Sequence, residues 1–478
     1  MTSTPFPASP ARQYIGGSWR PIGPIRESLN PATDEVLGSY HDGGRDAALD
    51  AIGAATSAFR TGSWRSDREA RARALWDLSL ALERNLDKIA TAITLENGKP
   101  LGQAQFELSI AAPKLRYFAG LALTDLGTAS ETAGGVSMLL REPIGVAGVI
   151  VPWNSPGVLT IRSLAPALAA GNTAVVKMPA QTALTNALIA DLFAQVDSLP
   201  KGVVNFFTES GDEGAKELVA NAQVGVISYT GSSAVGARIA AAAAPQLKRV
   251  SLELGGKTPM IVFDDADLDV VVPTLTAAVT TFSGQFCMTG SRVIAHRGIA
   301  GELRERLAES LGAVRVGNGI DPDTDMGPLI DHASVARVDR LVQTHDSEII
   351  LRGGPVDGPG AFYKPSLVGV ADLESPLIQD ELFGPVATFE TFTDEEEAIA
   401  RANATDYGLS ASVWTADGGR SLRLSRAIEA GTVWTNSWAQ IFDQFEEGGY
   451  KRSGLGRLNG PGGLAEFQEV KHVYRASN

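Results

Sequence analysis

At 478 residues, with 44% hydrophobic and 20% charged side chains and a mean hydropathy of +0.01, the chain has the composition of a folded protein of two or three domains and not of a disordered one. Its net charge of -14, with no dense Lys/Arg stripe, repels a phosphate backbone and argues against a nucleic-acid partner. Apolar runs such as 144–151 are far shorter than the roughly 20 residues that span a bilayer, so no membrane association is expected. The opening Met1-Thr-Ser-Thr-Pro-Phe-Pro has no basic stretch followed by an apolar one, and a cytoplasmic location is the expectation. Cys287 is the only cysteine, which rules out an intramolecular disulfide and a thiolate metal cluster. The five histidines (His41, His296, His332, His345 and His472) are scattered, so no metal site is expected.

The first elements are a short strand and turn over 14–19 and an extended run near 35–40. Helical spacing follows over 47–59 and 69–96, where Leu75, Leu78, Leu82 and Leu86 mark one face. Asn97-Gly-Lys-Pro100 stops that helix, and another is predicted over 103–119, kinked or divided by Pro113. Strands at 145–151, 173–176, 203–207, 224–229 and 249–254 then alternate with helices at 160–170, 185–195, 213–222 and 234–244. Such alternation predicts a parallel sheet covered on both faces, with its ligand loops along one edge. A second α/β region begins near Met260. It contains a helix to about 280, strands at 291–295, 410–414 and 431–436, and helices over 332–345, 398–402 and 422–429.

Several stretches carry chemistry. In Val151-Pro-Trp-Asn-Ser-Pro156 two prolines set Asn154 on a rigid turn, where it either caps its own backbone or aims an amide at an oxygen gaining negative charge. Glu253 in Ser251-Leu-Glu-Leu-Gly-Gly-Lys257 is a general base or an ordinary ion-paired acid, and the two glycines predict a tight bend near a ligand. Cys287 is either an inert buried side chain or a nucleophile at a loop-to-helix junction, where a helix N-terminus would favour the thiolate. Ser228-Tyr-Thr-Gly-Ser-Ser-Ala-Val-Gly236 is a strand, a turn and a helix start able to receive a pyrophosphate, although it is neither GxGxxG nor a Walker A motif. Lys177 follows a strand and can reach a ribose or phosphate.

These stretches, together with Val176-Lys-Met-Pro179, Gly284-Gln-Phe-Cys287, Glu381-Leu-Phe-Gly-Pro-Val386 and Gly448-Gly-Tyr-Lys-Arg-Ser-Gly454, resemble the aldehyde dehydrogenase superfamily over nearly the whole chain. Their order and spacing also match. The resemblance implies an NAD(P)-dependent enzyme oxidising a small-molecule aldehyde to its acid, with Cys287 as nucleophile, Glu253 as general base, and Asn154 with the Cys287 backbone N–H as oxyanion hole. It implies cofactor contacts at Pro152, Trp153, Lys177, Gly231, Ser232, Leu254, Glu381 and Phe383. Glu253 favours hydrolysis over transfer to CoA, because CoA-acylating relatives generally lack that base.

The implied fold is a Rossmann-like cofactor domain (1–120 and 144–253), an α/β catalytic domain (254–455) and a small β oligomerisation element (121–143 and 456–478), in a homodimer or homotetramer. Sequence proximity to the catalytic motifs offers Leu159, Phe286, Met288, Trp438, Phe442 and Phe445 as an apolar substrate tunnel; several of them are equally fit for the core. Two departures from the common pattern stand out. Ala180 replaces the Glu that bonds the ribose in many NAD-preferring relatives, so NADP is expected to be tolerated beside NAD. Glu446-Glu-Gly-Gly449 replaces Pro-Phe-Gly-Gly, and its acids either attract a cationic aldehyde or are paired structurally.

Overall fold

The computed structural model describes residues 5–124, 127–343 and 347–477. Two large sheets organise them. In the first, five parallel strands run in the spatial order Val204–Glu209, Thr173–Pro179, Val146–Ile150, Val224–Thr230 and Arg249–Glu253. The hairpin Gln13–Ile15/Ser18–Arg20 closes one edge, and Gly454–Leu455 pairs antiparallel at the other. The strand Val146–Ile150 is buried along its whole length, as a strand covered by helices on both faces must be.

Chain order reverses beside that strand. The chain leaves it for Thr173–Pro179 on one side and returns to its other side at Val224–Thr230. The loops after Val146–Ile150 and Val224–Thr230 therefore flank a switch-point crevice at the carboxyl ends of the strands, where α/β sheets bind ligands.

Helices end where their sequence says they should. Asp67 accepts the amide of Ala70 to cap Arg68–Asn97, and Gly98 closes that helix at φ +89°. The helix expected over 103–119 is two, Leu101–Ser109 and Ala111–Thr124. Pro113 falls in the first turn of the second, where a missing N–H costs nothing.

The second sheet has six parallel strands, Ser366–Gly369, Val386–Phe392, Arg292–His296, Pro259–Val262, Ser410–Trp414 and Thr432–Thr435, with Glu348–Leu351 antiparallel at one edge. The expected helix 332–345 is His332–Gln343, and its expected end, with His345, lies outside the described residues. A third, small sheet joins Thr128–Thr132, Gly135–Pro143 and Gln468–Ala476. No helix among the described residues is long and apolar enough to cross a membrane.

One ion pair lies wholly inside the second sheet. The Arg292 guanidinium donates from Nε and Nη2 to the two oxygens of Glu390, both at 2.8 Å, and neither side chain is exposed. Removing one partner of such a pair leaves a buried charge and costs about 3–5 kcal/mol. Glu390→Gln is expected to lower the melting temperature by roughly 6 °C or more. A scanning-calorimetry shift below about 2 °C would show that the fold does not need the pair.

Candidate active site

The turn after Val146–Ile150 is held from below by a buried ion pair. Lys99 Nζ donates to the Asn154 carbonyl at 2.6 Å and pairs with Glu107 at 2.7 Å. Glu107 in turn accepts the amides of Gly157 and Val158 at 2.8 and 3.2 Å, in the first turn of the helix Pro156–Ala170. A carboxylate at that end suits the helix dipole. Asn97 Nδ2 donates to the Trp153 carbonyl at 3.1 Å. With its backbone fixed, the buried Asn154 side chain does not cap its own turn. Its Nδ2 donates to the carbonyl of Gln285 at 3.0 Å, which ties the first sheet's crevice to the segment carrying Cys287. A primary amide has two N–H donors, and one is engaged here.

Cys287 sits in a turn between the short 3-10 segment Thr281–Gly284 and the strand Arg292–His296. The loop-to-helix junction expected there is not found. The helix of this segment, Leu268–Thr280, comes before the cysteine and ends in a kink, with Phe282 and Ser283 at φ +51° and +57°. Among the described residues no helix begins between Cys287 and the strand Arg292–His296. The residue keeps partial exposure, yet burial of its sulfur pushes the thiol up to about 12; Arg162 opposes that rise, while Glu447, Glu381 and Glu253 add to it.

Glu253 ends the strand Arg249–Glu253. It is 4% exposed, and its Oε1 has no hydrogen-bond partner among the described residues. Burial raises this carboxyl to about 8, with Arg162 opposing and Glu447 adding to the rise. The reading of an ordinary surface ion pair therefore fails.

The glycines after Glu253 do not bend the chain as expected. Neither Gly255 nor Gly256 has positive φ. Each is glycine because a neighbour occupies the place of a side chain. A Cβ on Gly255 would lie 2.4 Å from Glu381 Oε2, and one on Gly256 would lie 2.5 Å from the Cys287 carbonyl oxygen.

The residues expected at the cofactor come largely from strand ends. Pro152 and Trp153 follow Val146–Ile150, Gly231 and Ser232 follow Val224–Thr230, and Leu254 follows Arg249–Glu253. Lys177 lies inside Thr173–Pro179 and not beyond it as expected; burial lowers its pKa, against Glu209, Asp42 and Asp212. Ser232 Oγ caps the helix Ser233–Ala243 by accepting the Val235 amide. That helix lies close to the sheet, since a Cβ on Gly236 would meet Leu254 Cδ2 at 2.5 Å. Glu381 and Phe383 arrive from the second unit. Glu381 accepts the Gly256 amide at 3.1 Å, and burial raises it to about 7 against that bond, Lys257 and Arg337. The Phe383 ring meets Trp153 edge-on at 5.6 Å.

A helix start with presented amides, a bare Gly231, a half-buried lysine and a carboxylate across the crevice together fit a dinucleotide, whose pyrophosphate seeks helix N-termini. Among the described residues no group of three or more His, Cys, Asp or Glu side chains is disposed to hold a metal ion.

The six side chains offered as a tunnel separate into three groups. Phe286 and Trp438 pack beside Cys287, ring to ring at 6.0 Å. Leu159 and Met288 are buried in the core, at 9% and 1% exposure. Phe442 and Phe445 form an exposed pair on the surface. Both acids that replace Pro-Phe are engaged: Glu446 accepts the Gly462 amide at 2.8 Å, and the buried Glu447 pairs with Arg162 at 2.8 Å and accepts from Asn459 at 2.9 Å. The pairing of Arg162 was invisible in sequence, because its partner lies 285 positions away. In sequence, Lys99 shows only as part of the helix stop Asn97-Gly-Lys-Pro100.

The aldehyde dehydrogenase family profile matches residues 22–473. The chain is 38% identical to betaine aldehyde dehydrogenase of Bacillus subtilis (strain 168), over 97% of this chain and 96% of that one. It is 37% identical to mitochondrial succinate-semialdehyde dehydrogenase of Oryza sativa subsp. japonica, over 96% and 88%. The crystal structure of betaine aldehyde dehydrogenase from Staphylococcus aureus in complex with NAD+ superposes with a TM-score of 0.95 at 33% identity, over 98% of this chain and 95% of that one. A crevice fit for a dinucleotide, joined to a cysteine and a buried carboxylate, thus meets concordant likenesses along nearly the full length, and the chain belongs to the aldehyde dehydrogenase family as an NAD(P)-dependent aldehyde-oxidising enzyme.

Proposed function

We propose that Cys287, Glu253 and Asn154 divide the oxidation between them as nucleophile, general base and oxyanion donor. The observation that carries this reading is a buried Glu253 carboxyl whose Oε1 has no hydrogen-bond partner among the described residues, in the same site as Cys287 and an Asn154 amide bonded two residues from it. The Cys287 thiolate, its proton released to solvent, bonds through Sγ to the aldehyde carbon, and the carbonyl electron pair moves to oxygen. Asn154 Nδ2 and the Cys287 backbone N–H stabilise that oxyanion; losing such a donor costs about 2.7–4 kcal/mol in the transition state. The nicotinamide of the bound cofactor supplies the hydride acceptor. A thioester on Cys287 remains. Glu253 then takes a proton from water as its oxygen bonds to the acyl carbon, the C–S bond breaks, and the acid leaves. Lys99 and Glu107 keep the donor aligned through both halves.

For the substrate we infer an aliphatic or aromatic aldehyde, seated against Phe286 and Trp438 beside the sulfur. The pairing of Glu447 with Arg162 supports this, since that acid is not left for a cationic headgroup. For the cofactor we infer NAD with NADP tolerated. Ala180 offers no carboxylate to a 2′-phosphate, and the nearby Glu209 already accepts the amides of Gly214 and Ala215. A homodimer or homotetramer is inferred from the third sheet, where Leu139, Val470 and Tyr474 are exposed on one face. Pairing that face with a second copy would cover them.

Cys287→Ala is expected to abolish oxidation, and activity within tenfold of the parent would remove the nucleophile. Glu253→Gln should give a full burst of reduced cofactor at 340 nm followed by slow turnover. A carboxyl near 8 is mostly protonated at neutral pH, so thioester hydrolysis in the parent should rise with pH through that region, and a pH-independent hydrolysis rate would exclude Glu253 as base. Hexanal and benzaldehyde should exceed betaine aldehyde and succinate semialdehyde in kcat/KM, whereas a preference for either charged aldehyde would reverse the substrate reading. On the best substrate, kcat/KM with NADP+ should lie within 100-fold of that with NAD+, and a larger gap would contradict the role given to Ala180. Light scattering should return a dimer or tetramer; a monomer would leave the third sheet without that function.

A further inference from the structure

A third buried ion pair stands beside the reacting groups. Arg162 and Glu447 are both almost fully buried and 2.8 Å apart. Glu447 occupies the place of the Phe in the Pro-Phe-Gly-Gly pattern, so this contact is a property of this chain.

The pair is fixed on every side. Arg162 Nη2 donates to Thr230 Oγ1 at 2.9 Å, and Thr230 is the register partner of Glu253 in the parallel strands. The Glu447–Gly448 backbone runs against Glu253 itself, because a Cβ on Gly448 would lie 3.0 Å from Glu253 Oε1. Behind Glu447, Asn459 Nδ2 donates to Oε2 at 2.9 Å, and Lys114 Nζ links Asn459 Oδ1 at 2.6 Å to Asp443 at 2.5 Å. Neither member of the pair can rotate away without breaking this chain. Arg162 Nε is buried and without a partner among the described residues, as is the nearby Glu253 Oε1.

We propose that Arg162 is a positioning residue of the reaction, a fixed buried cation that stabilises the anionic forms of Cys287 and Glu253, and that Glu447 restrains how much of that charge they feel. This rests on the reading of Cys287 as nucleophile and Glu253 as base. Glu253 is faced by Arg162, Glu447, Arg457 and Glu466, and Cys287 by Arg162, Glu447, Glu381 and Glu253. Arg162 is foremost among the groups that oppose protonation at both. The attraction is mutual: burial alone would lower the guanidinium's pKa, but Glu447, Glu253 and Cys287 together hold it above its ordinary value. In a dry site such a charge acts far more strongly than at the surface.

Because Cys287 is the only thiol, its alkylation by iodoacetamide at a fixed pH of about 8.5, near a thiol's reference value, reads its thiolate fraction without any turnover. Arg162→Gln should slow alkylation about tenfold, the effect of one pKa unit, and Arg162→Lys should restore it to within about threefold. Glu447→Gln should act in the opposite sense, raising the alkylation rate at least about threefold. The pH limb of thioester hydrolysis should move up in Arg162→Gln and down in Glu447→Gln. The double variant Arg162→Gln/Glu447→Gln replaces the ion pair with two amides and leaves no buried charge unpaired. It should alkylate more slowly than the parent and faster than Arg162→Gln alone, which keeps the test decisive if a single variant does not fold.

Shifts of the same sign in both single variants, or none, would reduce the pair to packing and overturn the proposal. An active Cys287→Ala would instead overturn the nucleophile reading, while the alkylation series would still report the field of Arg162 on the sulfur.

Discussion

The ion pair between Lys99 and Glu107 is the contact on which the site's geometry depends. Both charges are buried, a burden that attraction alone rarely offsets. Here each partner also makes further bonds: the ammonium holds the Asn154 carbonyl, and the carboxylate holds two amides at the start of Pro156–Ala170. The Lys99 ammonium also lies 3.7 Å above the Phe282 ring, in the kink that leads to Cys287. One pair therefore fixes the turn bearing the amide donor, the helix bearing Arg162 and one wall of the cysteine segment. Their mutual positions follow from a rigid scaffold, as preorganised electrostatic stabilisation requires.

Dryness is the second constraint, and it cuts in two directions. Burial raises Glu253, Glu381 and the Cys287 thiol, and it lowers Lys257 to about 7. Buried polar groups ordinarily find partners, yet Glu253 Oε1 and Lys257 Nζ have none among the described residues. Groups left in this state cluster where chemistry is done. A base raised into the neutral range is poised to accept a proton from water, whereas a surface carboxylate would be too weak to do so.

The strands and helices of the first unit were largely legible in sequence, because short apolar runs and Gly or Asn stops mark their ends. The strand Val386–Phe392 was not. It carries Thr388 and Glu390 inward, where Glu390 meets Arg292, and a buried ion pair erases the apolar signal that strand prediction needs. The motif residues were legible one by one, but their environments were not. Nothing local distinguishes a cysteine before a strand from one at a helix start, and the kink at Phe282 and Ser283 depends on contacts beyond the segment. Met288 adjoins Cys287 in sequence yet packs behind it against Leu409 and Trp434, since neighbouring residues in an irregular turn need not share a face. For Glu446 and Glu447 the sequence leaves open whether they are paired, because their partners lie elsewhere in the chain.

The glycines of the Glu253 motif make the same point about cause. A sequence reader assigns them to a bend or to the close approach of a ligand, the usual uses of a residue without Cβ. In the fold, the atoms that exclude a side chain belong to the protein: Glu381 against Gly255 and the Cys287 carbonyl against Gly256. At each position a methyl group would push apart two segments that meet in the site. Bareness there brings the second unit down onto the first, so that the cysteine segment meets the strand end bearing Glu253. An alanine at Gly256 would act through Cys287, by displacing the backbone that carries the sulfur, and would do so whether or not a cofactor was bound.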